Sequence, residues 1–212
     1  MLSDEEIVTE IINGKKYLYE TLIRKYNLRL YRISMSIVND DNAVEDIMQT
    51  AYVNAYMHLA AFKNRSSFST WLTKILINES LLYKKRKIRL DQILIEKHST
   101  DYHSETPLKN LMNSELKTIL EKTIATLPEK YRVVFVMREV EQMSIDETMA
   151  TLNLTESTVK VRLNRAKEML RNNLSSYYKS LEPDGFQLSR CDRVVSYVMT
   201  QIENSRHGQP ER

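Results

Sequence analysis

The sequence predicts an all-α protein built from two small helical domains. Only three glycines and four prolines interrupt its 212 residues, so helix-breaking residues are few. Apolar residues recur at spacings of three and four, the period of an amphipathic helix. This period is lost between residues 88 and 113, which we interpret as a flexible linker. The predicted divisions are a first domain at 1–88, a linker at 89–113, a second domain at 114–175 and a C-terminal extension at 176–212.

The helices predicted in the first domain begin at recognisable signals. Ser3 and Glu6 form a capping box, and Asn13-Gly14 ends the helix that follows it. A turn rich in Asn and Asp at residues 39–42 separates the next two helices. The later predicted helices run from Lys15 to about Val38, from about Ala43 to Leu59, and from a cap at Ser66 or Ser67 to about Arg86.

The second domain is predicted to end in a helix-turn-helix at residues 144–171. Before it, one helix reaches Thr126, and a second runs from Glu129 to Glu141, where Pro128 suits the start of a helix. Ser144 and Glu147 form another capping box, and an apolar stripe at Ile145, Met149 and Leu152 follows. Asn153 is placed to end this helix, because asparagine tolerates the left-handed conformation of a sharp exit.

The second helix of this motif is predicted to be a recognition helix that lies in a DNA groove. Thr155 is a suitable N-cap, and the apolar positions Val159, Leu163, Ala166 and Leu170 predict its buried stripe. Four basic residues are spread along this helix, as in a helix that binds duplex DNA. An ordinary helical hairpin with a solvated basic face is the alternative. The residues predicted to lie on its outer faces, together with its four basic residues, are Ser157, Thr158, Lys160, Val161, Arg162, Arg165 and Lys167.

A second candidate for nucleic-acid binding lies between Phe62 and Lys87. Aromatic residues alternate there with Lys and Arg, so aromatic faces are available to stack on unpaired bases beside groups that neutralise phosphates. Asn64, Ser66 and Ser67 offer hydrogen-bonding groups to a flipped base. The alternative for Trp71 is a core position, and for the basic cluster a solvated helix end.

Composition and charge exclude several functional classes. Nucleophile–base pairs and glycine-rich phosphate loops are missing, so we predict no enzymatic activity and no cofactor. The only cysteine, Cys191, excludes an internal disulfide and a multi-cysteine zinc site, and we predict no metal. With no apolar run of membrane-spanning length and an acidic N-terminus, we expect a cytoplasmic protein without membrane insertion. Acidic residues gather early in the chain, which predicts a face for a basic protein partner.

The ordered motifs resemble those of a known family. Glu45-Asp46-Ile47-Met48-Gln49 precedes Phe68-Ser69-Thr70-Trp71-Leu72 and a Lys/Arg cluster, and Leu127-Pro128-Glu129-Lys130-Tyr131-Arg132 precedes the helix-turn-helix. In this order they resemble a bacterial RNA polymerase sigma factor of the extracytoplasmic-function (ECF) group. The resemblance covers Lys15 to about Arg171.

The resemblance implies a function in promoter-specific transcription initiation. Region 2 would bind the clamp helices of core RNA polymerase and melt the minus-ten element, and region 4 would read the minus-thirty-five duplex and touch the polymerase flap. The implied polymerase-binding residues are Glu45, Asp46 and Gln49. The implied minus-ten residues are Phe62, Lys63, Asn64, Arg65, Ser66, Ser67, Trp71, Lys74, Asn78, Lys84 and Arg86. The implied minus-thirty-five residues are those already named on the recognition helix.

Two features depart from the family pattern. Asn153 replaces the usual turn glycine, and the chain after Tyr177 extends beyond the two-domain plan. The extension is expected to form one short amphipathic helix that packs on region 4 or binds another regulator. The sequence leaves open whether an anti-sigma factor exists. A stand-alone helix-turn-helix regulator is the rival interpretation, but it does not explain the nucleic-acid pattern of the first domain. An enzyme acting on nucleic acid would need paired carboxylates for a metal, and capping explains the acidic residues at 40–46.

Overall fold

A computed structural model describes residues 2–95, 113–181 and 193–200, and every regular element within these ranges is helical. The predicted all-α fold is therefore confirmed. Short 3-10 turns lie at Lys16–Leu18 and Leu59–Ala61, and a π-helix lies at Val136–Val140. The principal helices are α1 (Asp4–Ile12), α2 (Tyr19–Val38), α3 (Asp41–Met57), α4 (Phe68–Ile95), α5 (Asn113–Ala125), α6 (Glu129–Phe135), α7 (Ile145–Leu152) and α8 (Glu156–Leu181).

The helix starts predicted from capping boxes are confirmed by their hydrogen bonds. The Ser3 backbone N–H donates to Glu6 Oε2 at 2.6 Å, and the Glu6 N–H donates back to Ser3 Oγ at 3.2 Å. The equivalent bonds join Ser144 and Glu147 at 2.7 and 3.1 Å. Each box satisfies backbone donors that the first helical turn leaves unpaired.

Helices α1 to α4 form what we call the first lobe. Helices α2, α3 and α4 pack against one another, and α1 closes one side through Ile7, Val8 and Ile11. Leu22, Leu30 and Ile33 of α2 and Phe68 and Leu72 of α4 have no exposed surface. Burying each such side chain contributes about 1.5–3 kcal/mol relative to leaving it in water.

Helix α4 is longer than the sequence predicted. It continues past Arg86 to Ile95, so residues 89–95 of the predicted linker are helical. The prediction failed because the loss of a clean apolar stripe was read as the end of the helix. Between Arg86 and Ile95 there is no glycine or proline to stop it, and most residues there favour helix. The rest of the predicted linker, 96–112, lies outside the described residues.

Helices α5, α6 and α7, the π-helix, and α8 as far as Arg171 form the second lobe. The predicted helix 129–141 is α6 followed by the π-helix, whose last residue is Val140. In α7 the fully or nearly fully buried side chains are Thr148 and Thr151. The predicted stripe of Ile145, Met149 and Leu152 is only half-buried. The two threonine hydroxyls are tolerated because each donates to a backbone carbonyl of its own helix, at 2.8 and 2.5 Å.

The C-terminal extension is only partly described. Helix α8 runs on to Leu181, whereas the predicted breaker at 182–185 and Cys191 lie outside the described residues. A helical segment occupies 193–200 within the predicted C-terminal helix. Its apolar side chains, including Val194, Val195 and Val198, are exposed.

The two lobes share one core. Met1–Arg171 form a single compact unit, in which α6 packs on α2 and α7 packs on α4. Val133, Val134 and Met137 of the second lobe belong to the same apolar cluster as the core of the first lobe. Periodicity within each segment could not predict this packing, because it gives the buried face of a helix but not its neighbour.

The turn of the helix-turn-helix yields a prediction about stability. Asn153 has φ +57° and ψ +46° at the C-cap of α7, a left-handed conformation that costs a residue with a Cβ about 1–2 kcal/mol. Asparagine tolerates it better than alanine because its side chain bonds locally. We expect Asn153→Ala to lower the free energy of unfolding by roughly 1 kcal/mol, and Asn153→Gly to leave it unchanged or higher. Urea unfolding of the three proteins measures this, and equal midpoints would contradict it.

Candidate nucleic-acid interface

The loop between α3 and α4 presents polar groups to solvent. Lys63, Asn64, Arg65, Ser66 and Ser67 are all exposed. Asn64 has φ +54°, a sharp reversal that asparagine tolerates. The loop is anchored at its end, because the Thr70 N–H donates to Ser67 Oγ at 3.2 Å. The exposed tip is therefore available to bind a ligand while its base is fixed to α4.

An aromatic cluster supports this loop. Phe68 is fully buried, and Phe62 and Trp71 are half-buried around it. The ring centroids of Phe62 and Trp71 are 5.3 Å apart, and those of Phe68 and Trp71 are 5.8 Å apart, within the range of favourable aromatic pairs. The two alternatives for Trp71 thus combine in one residue, with part of the side chain in the core and part accessible.

The outer face of α4 carries some of the predicted residues but not all of them. Trp71, Lys74 and Asn78 are spaced by three and four, so they share one face, and Lys74 and Asn78 are exposed. Arg86 is also exposed, farther along the helix. Lys84 departs from this group, because its ammonium forms an ion pair with Glu129 of α6.

The recognition helix presents an outer face opposite its buried stripe. Val159 and Ala166 have no exposed surface, whereas Ser157, Val161 and Asn164 are exposed at helical spacing on the other side. Asn164 was missed in the sequence prediction, which followed the charged residues. Its spacing of seven residues from Ser157 was the signal that could have found it, and an asparagine amide can pair with the edge of adenine.

The basic side chains of this helix have different surroundings. Lys160 Nζ lies 2.6 Å from Glu156 Oε1, and this hydrogen bond and charge lower the pKa of Glu156. Lys167 Nζ lies 2.9 Å from Glu139 of the π-helix. Arg162, in contrast, lines a cleft of about 460 Å³ between the lobes, together with Ile37 and Ile77. Arg162 therefore differs from Lys160 and Lys167, whose side chains are exposed.

Arg165, the remaining basic residue of this helix, is weakly restrained. Arg165 Nη1 lies 3.7 Å from Glu168 Oε2 on the same helix, and both side chains are largely exposed. Exposed pairs of this kind contribute about 0–1 kcal/mol to stability, so a phosphate oxygen can replace the carboxylate at small cost. Thr158 is half-buried beside Thr155, whose Oγ1 accepts from the Thr158 N–H at 3.3 Å.

The predicted protein-binding residues share the exposed face of α3. Glu45, Asp46 and Gln49 are exposed, and Gln49 Nε2 donates to Glu45 Oε1 at 3.3 Å. Val53 and Met57 continue this face, with 61% and 73% of their surface exposed. An acidic patch beside uncovered apolar side chains is typical of a surface that binds another protein.

Other kinds of site find no support in the described ranges. Among those residues no group of three or more His, Cys, Asp or Glu is arranged to hold a metal ion. None of their helices is both long enough and apolar enough to cross a membrane.

Two family models match the chain in the order that the motifs predict. The model of Sigma-70 region 2 matches residues 22–89, and that of Sigma-70, region 4 matches residues 117–170. Among curated proteins, the chain is similar to the ECF RNA polymerase sigma-E factor of Haemophilus influenzae. The two are 28% identical over 184 residues, which cover 82% of this chain and 96% of the relative. It is also 27% identical to the ECF RNA polymerase sigma factor SigW of Bacillus subtilis over 176 residues, covering 79% and 94% of the two chains.

Solved structures share the fold. CnrH, in complex with the cytosolic domain of CnrY, superposes with a TM-score of 0.59 at 21% identity, covering 82% of this chain and 97% of CnrH. RpoE of Bartonella quintana, in complex with the anti-sigma factor NepR, superposes with a TM-score of 0.62 at 18% identity, covering 74% and 96%. These matches confirm the two-domain helical fold.

The exposed amide on the recognition helix can be tested directly. If Asn164 contacts a base edge, Asn164→Ala should weaken binding to the cognate promoter by roughly 1–3 kcal/mol, with little effect on random-sequence DNA. Asn173→Ala, an exposed position farther along the same helix, is the matched control. Titration of polymerase-bound protein against both DNAs gives the comparison. An equal loss on both DNAs would remove Asn164 from base recognition.

Proposed function

Because the chain belongs to the sigma-70 family of RNA polymerase sigma factors, in its extracytoplasmic-function group, we propose that its two lobes hold two separate promoter elements. The protein binds core RNA polymerase and directs promoter-specific transcription initiation. The observation that carries this function is that the region 2 and region 4 models match the chain in that order, and each lobe exposes polar and basic side chains at the positions proposed to bind nucleic acid. A stand-alone helix-turn-helix regulator would need only the region 4 part.

The first lobe is proposed to open the minus-ten element. Extruding a base costs a few kcal/mol, and stacking on an aromatic side chain contributes about 1–3 kcal/mol per base. The polar loop at 63–67 would hydrogen-bond the extruded base above the aromatic cluster of Phe62 and Trp71. Lys74, Asn78 and Arg86 would then hold the separated strand along α4 by phosphate and base contacts.

The second lobe is proposed to read the minus-thirty-five duplex. The outer face of α8 would enter the major groove, where Ser157, Asn164 and Arg165 would contact base edges. Lys160 and Lys167 would neutralise phosphates, giving affinity that falls with salt but little sequence selectivity. Neither of these DNA contacts makes or breaks a covalent bond. Members of this family generally act without catalysis, and we assign no enzymatic step to the chain.

The polymerase contact is assigned to the exposed face of α3. Glu45, Asp46 and Gln49 would face a basic surface of the polymerase clamp, and Val53 and Met57 would add apolar contact area. Binding to polymerase fixes both lobes on one platform, so the second DNA contact becomes intramolecular. We place this work in the cytoplasm, with polymerase and DNA, and include an anti-sigma factor among the proposed partners.

Charge reversal on α3 tests the polymerase contact. Asp46→Arg should weaken binding to core polymerase by tenfold or more, because like charges across an interface cost about 1.4 kcal/mol or more. Glu20→Arg, an exposed site near the start of α2, is the matched charge reversal. Binding is measured by fluorescence anisotropy, and function by run-off transcription with purified core polymerase. Unchanged affinity of Asp46→Arg would move the contact elsewhere.

Strand capture is tested with pre-opened DNA. The double variant Lys74→Ala/Asn78→Ala should reduce run-off transcription from duplex promoters, because the separated strand is held less tightly. A template with a pre-melted minus-ten bubble does not require that energy, so much of the activity should return. Arg24→Ala, which removes an exposed basic side chain on α2, should leave transcription from both templates unchanged. A defect of equal size on duplex and bubble would show that these residues act at another step.

A further inference from the structure

The cleft that Arg162 lines has mostly apolar walls. Its volume is about 460 Å³, within the range of pockets that hold small molecules. Ile37 of α2, Ile77 of α4 and Val133 of α6 contribute buried side chains to its lining. Leu81 of α4 also lines the cleft, but 41% of its surface is exposed. A small molecule that covered Leu81 would remove apolar surface from water, which favours binding.

Arg162 adds a positive charge to this apolar lining. Its side chain is half-buried on α8. The other basic residues of the recognition helix, Lys160, Arg165 and Lys167, each pair with a glutamate. Arg162 has no carboxylate partner among the residues that the structure describes. A cation that is partly removed from water is stabilised by an anionic partner, because desolvation of an unpaired charge costs free energy.

The neighbouring charged residues leave the cleft positive. Glu129 lines it, but this carboxylate is already paired with Lys84. Lys130 also lines it, and its Nζ lies 5.0 Å from the centre of the Tyr131 ring. Within the described ranges, Lys130 has no carboxylate partner either. The cleft therefore combines an excess of positive charge with an apolar wall.

We propose that this cleft binds a small organic carboxylate that carries an apolar body. A guanidinium presents parallel N–H donors that match the two oxygens of a carboxylate, so Arg162 would hold the head group. The apolar body would cover Leu81. A neutral apolar molecule would leave Arg162 unpaired, and a small anion would leave the apolar wall in contact with water. Recognition therefore needs both features in one molecule.

Occupation of the cleft would compete with DNA, and this consequence rests on the proposed function. The family resemblance assigns Arg162 to the minus-thirty-five duplex. A guanidinium that holds a carboxylate is not available to a phosphate or a base edge. Because such competition is reciprocal, the carboxylate should weaken promoter binding, and promoter DNA should weaken carboxylate binding.

The site is tested by isothermal titration calorimetry of the full chain with octanoate below its micelle-forming concentration. The wild-type protein should bind octanoate. Octanamide, which has the same chain without the charge, and acetate, which has the charge without the chain, should each bind roughly tenfold more weakly or worse. A wild-type protein that does not bind octanoate, or that binds octanamide equally well, would overturn the proposal.

Two substitutions locate the bound octanoate. Arg162→Gln removes the charge and should weaken octanoate binding roughly tenfold, because a charge-assisted hydrogen bond is lost. Leu81→Asn removes exposed apolar surface and should weaken binding roughly fivefold. The matched controls are Arg171→Gln on α8 and Leu90→Asn on α4, two exposed residues that do not line the cleft. Both should bind octanoate like the wild type.

Circular dichroism confirms that each variant folds. If Arg162→Gln does not fold, Leu81→Asn decides, since its side chain is already largely in water. Folded Arg162→Gln and Leu81→Asn proteins that both keep the wild-type affinity would overturn the site.

Transcription is measured separately from binding. Saturating octanoate should lower run-off transcription by the wild-type protein several-fold, and it should lower that of Leu81→Asn less. An equal loss in the two proteins would overturn the competition with DNA. Run-off without octanoate reports whether the chain is a functional sigma factor. A silent run-off assay with octanoate bound in the cleft would refute the function and retain the site, and the reverse pattern would refute the site alone.

Discussion

Pairing of the Glu141 carboxylate with two arginines is the interaction on which the arrangement of the lobes depends. A buried charge is costly to remove from water, and it is stable only when its partners are present. Here the carboxylate comes from the second lobe and both guanidinium groups come from the first. Each lobe therefore supplies what the other needs, and separating them leaves charges that water or polymerase must satisfy.

The same boundary combines this polar contact with apolar packing. Val133, Val134 and Met137 join the core of the first lobe, and burial of their apolar surface favours the packing of the two lobes in water. Hydroxyl groups also take part in the boundary, since Ser69 accepts from Arg29 and Thr70 donates to Glu147. An interface of this mixed kind resembles a transient one more than a single-domain core.

The DNA-facing surfaces follow a different design. In the α3–α4 loop, the packed aromatic cluster supports an exposed polar tip, so the groups proposed to bind an extruded base are already positioned in the free protein. On α8, acidic residues of the same helix or of the π-helix lie beside Lys160, Arg165 and Lys167. These exposed pairs are weak, and they hold the long side chains in place until phosphates replace the carboxylates. Aromatic packing is therefore concentrated under the proposed strand-capture site, and exposed ion pairs are concentrated on the proposed recognition helix.

The sequence by itself determined the helical class, the capping boxes at Ser3 and Ser144, the exit at Asn153 and the order of the two nucleic-acid regions. These depend on local backbone chemistry and on the spacing of apolar residues, which are properties of short segments. Only the tertiary structure decided that Lys84 pairs with Glu129 and that Arg162 lines the cleft. It also decided that Thr148 and Thr151 are buried and that Glu141 joins two arginines of α2. Those facts depend on which helix packs against which. The apolar periodicity of a segment does not identify its packing partner, and Glu141 is more than one hundred positions from both Arg29 and Arg32.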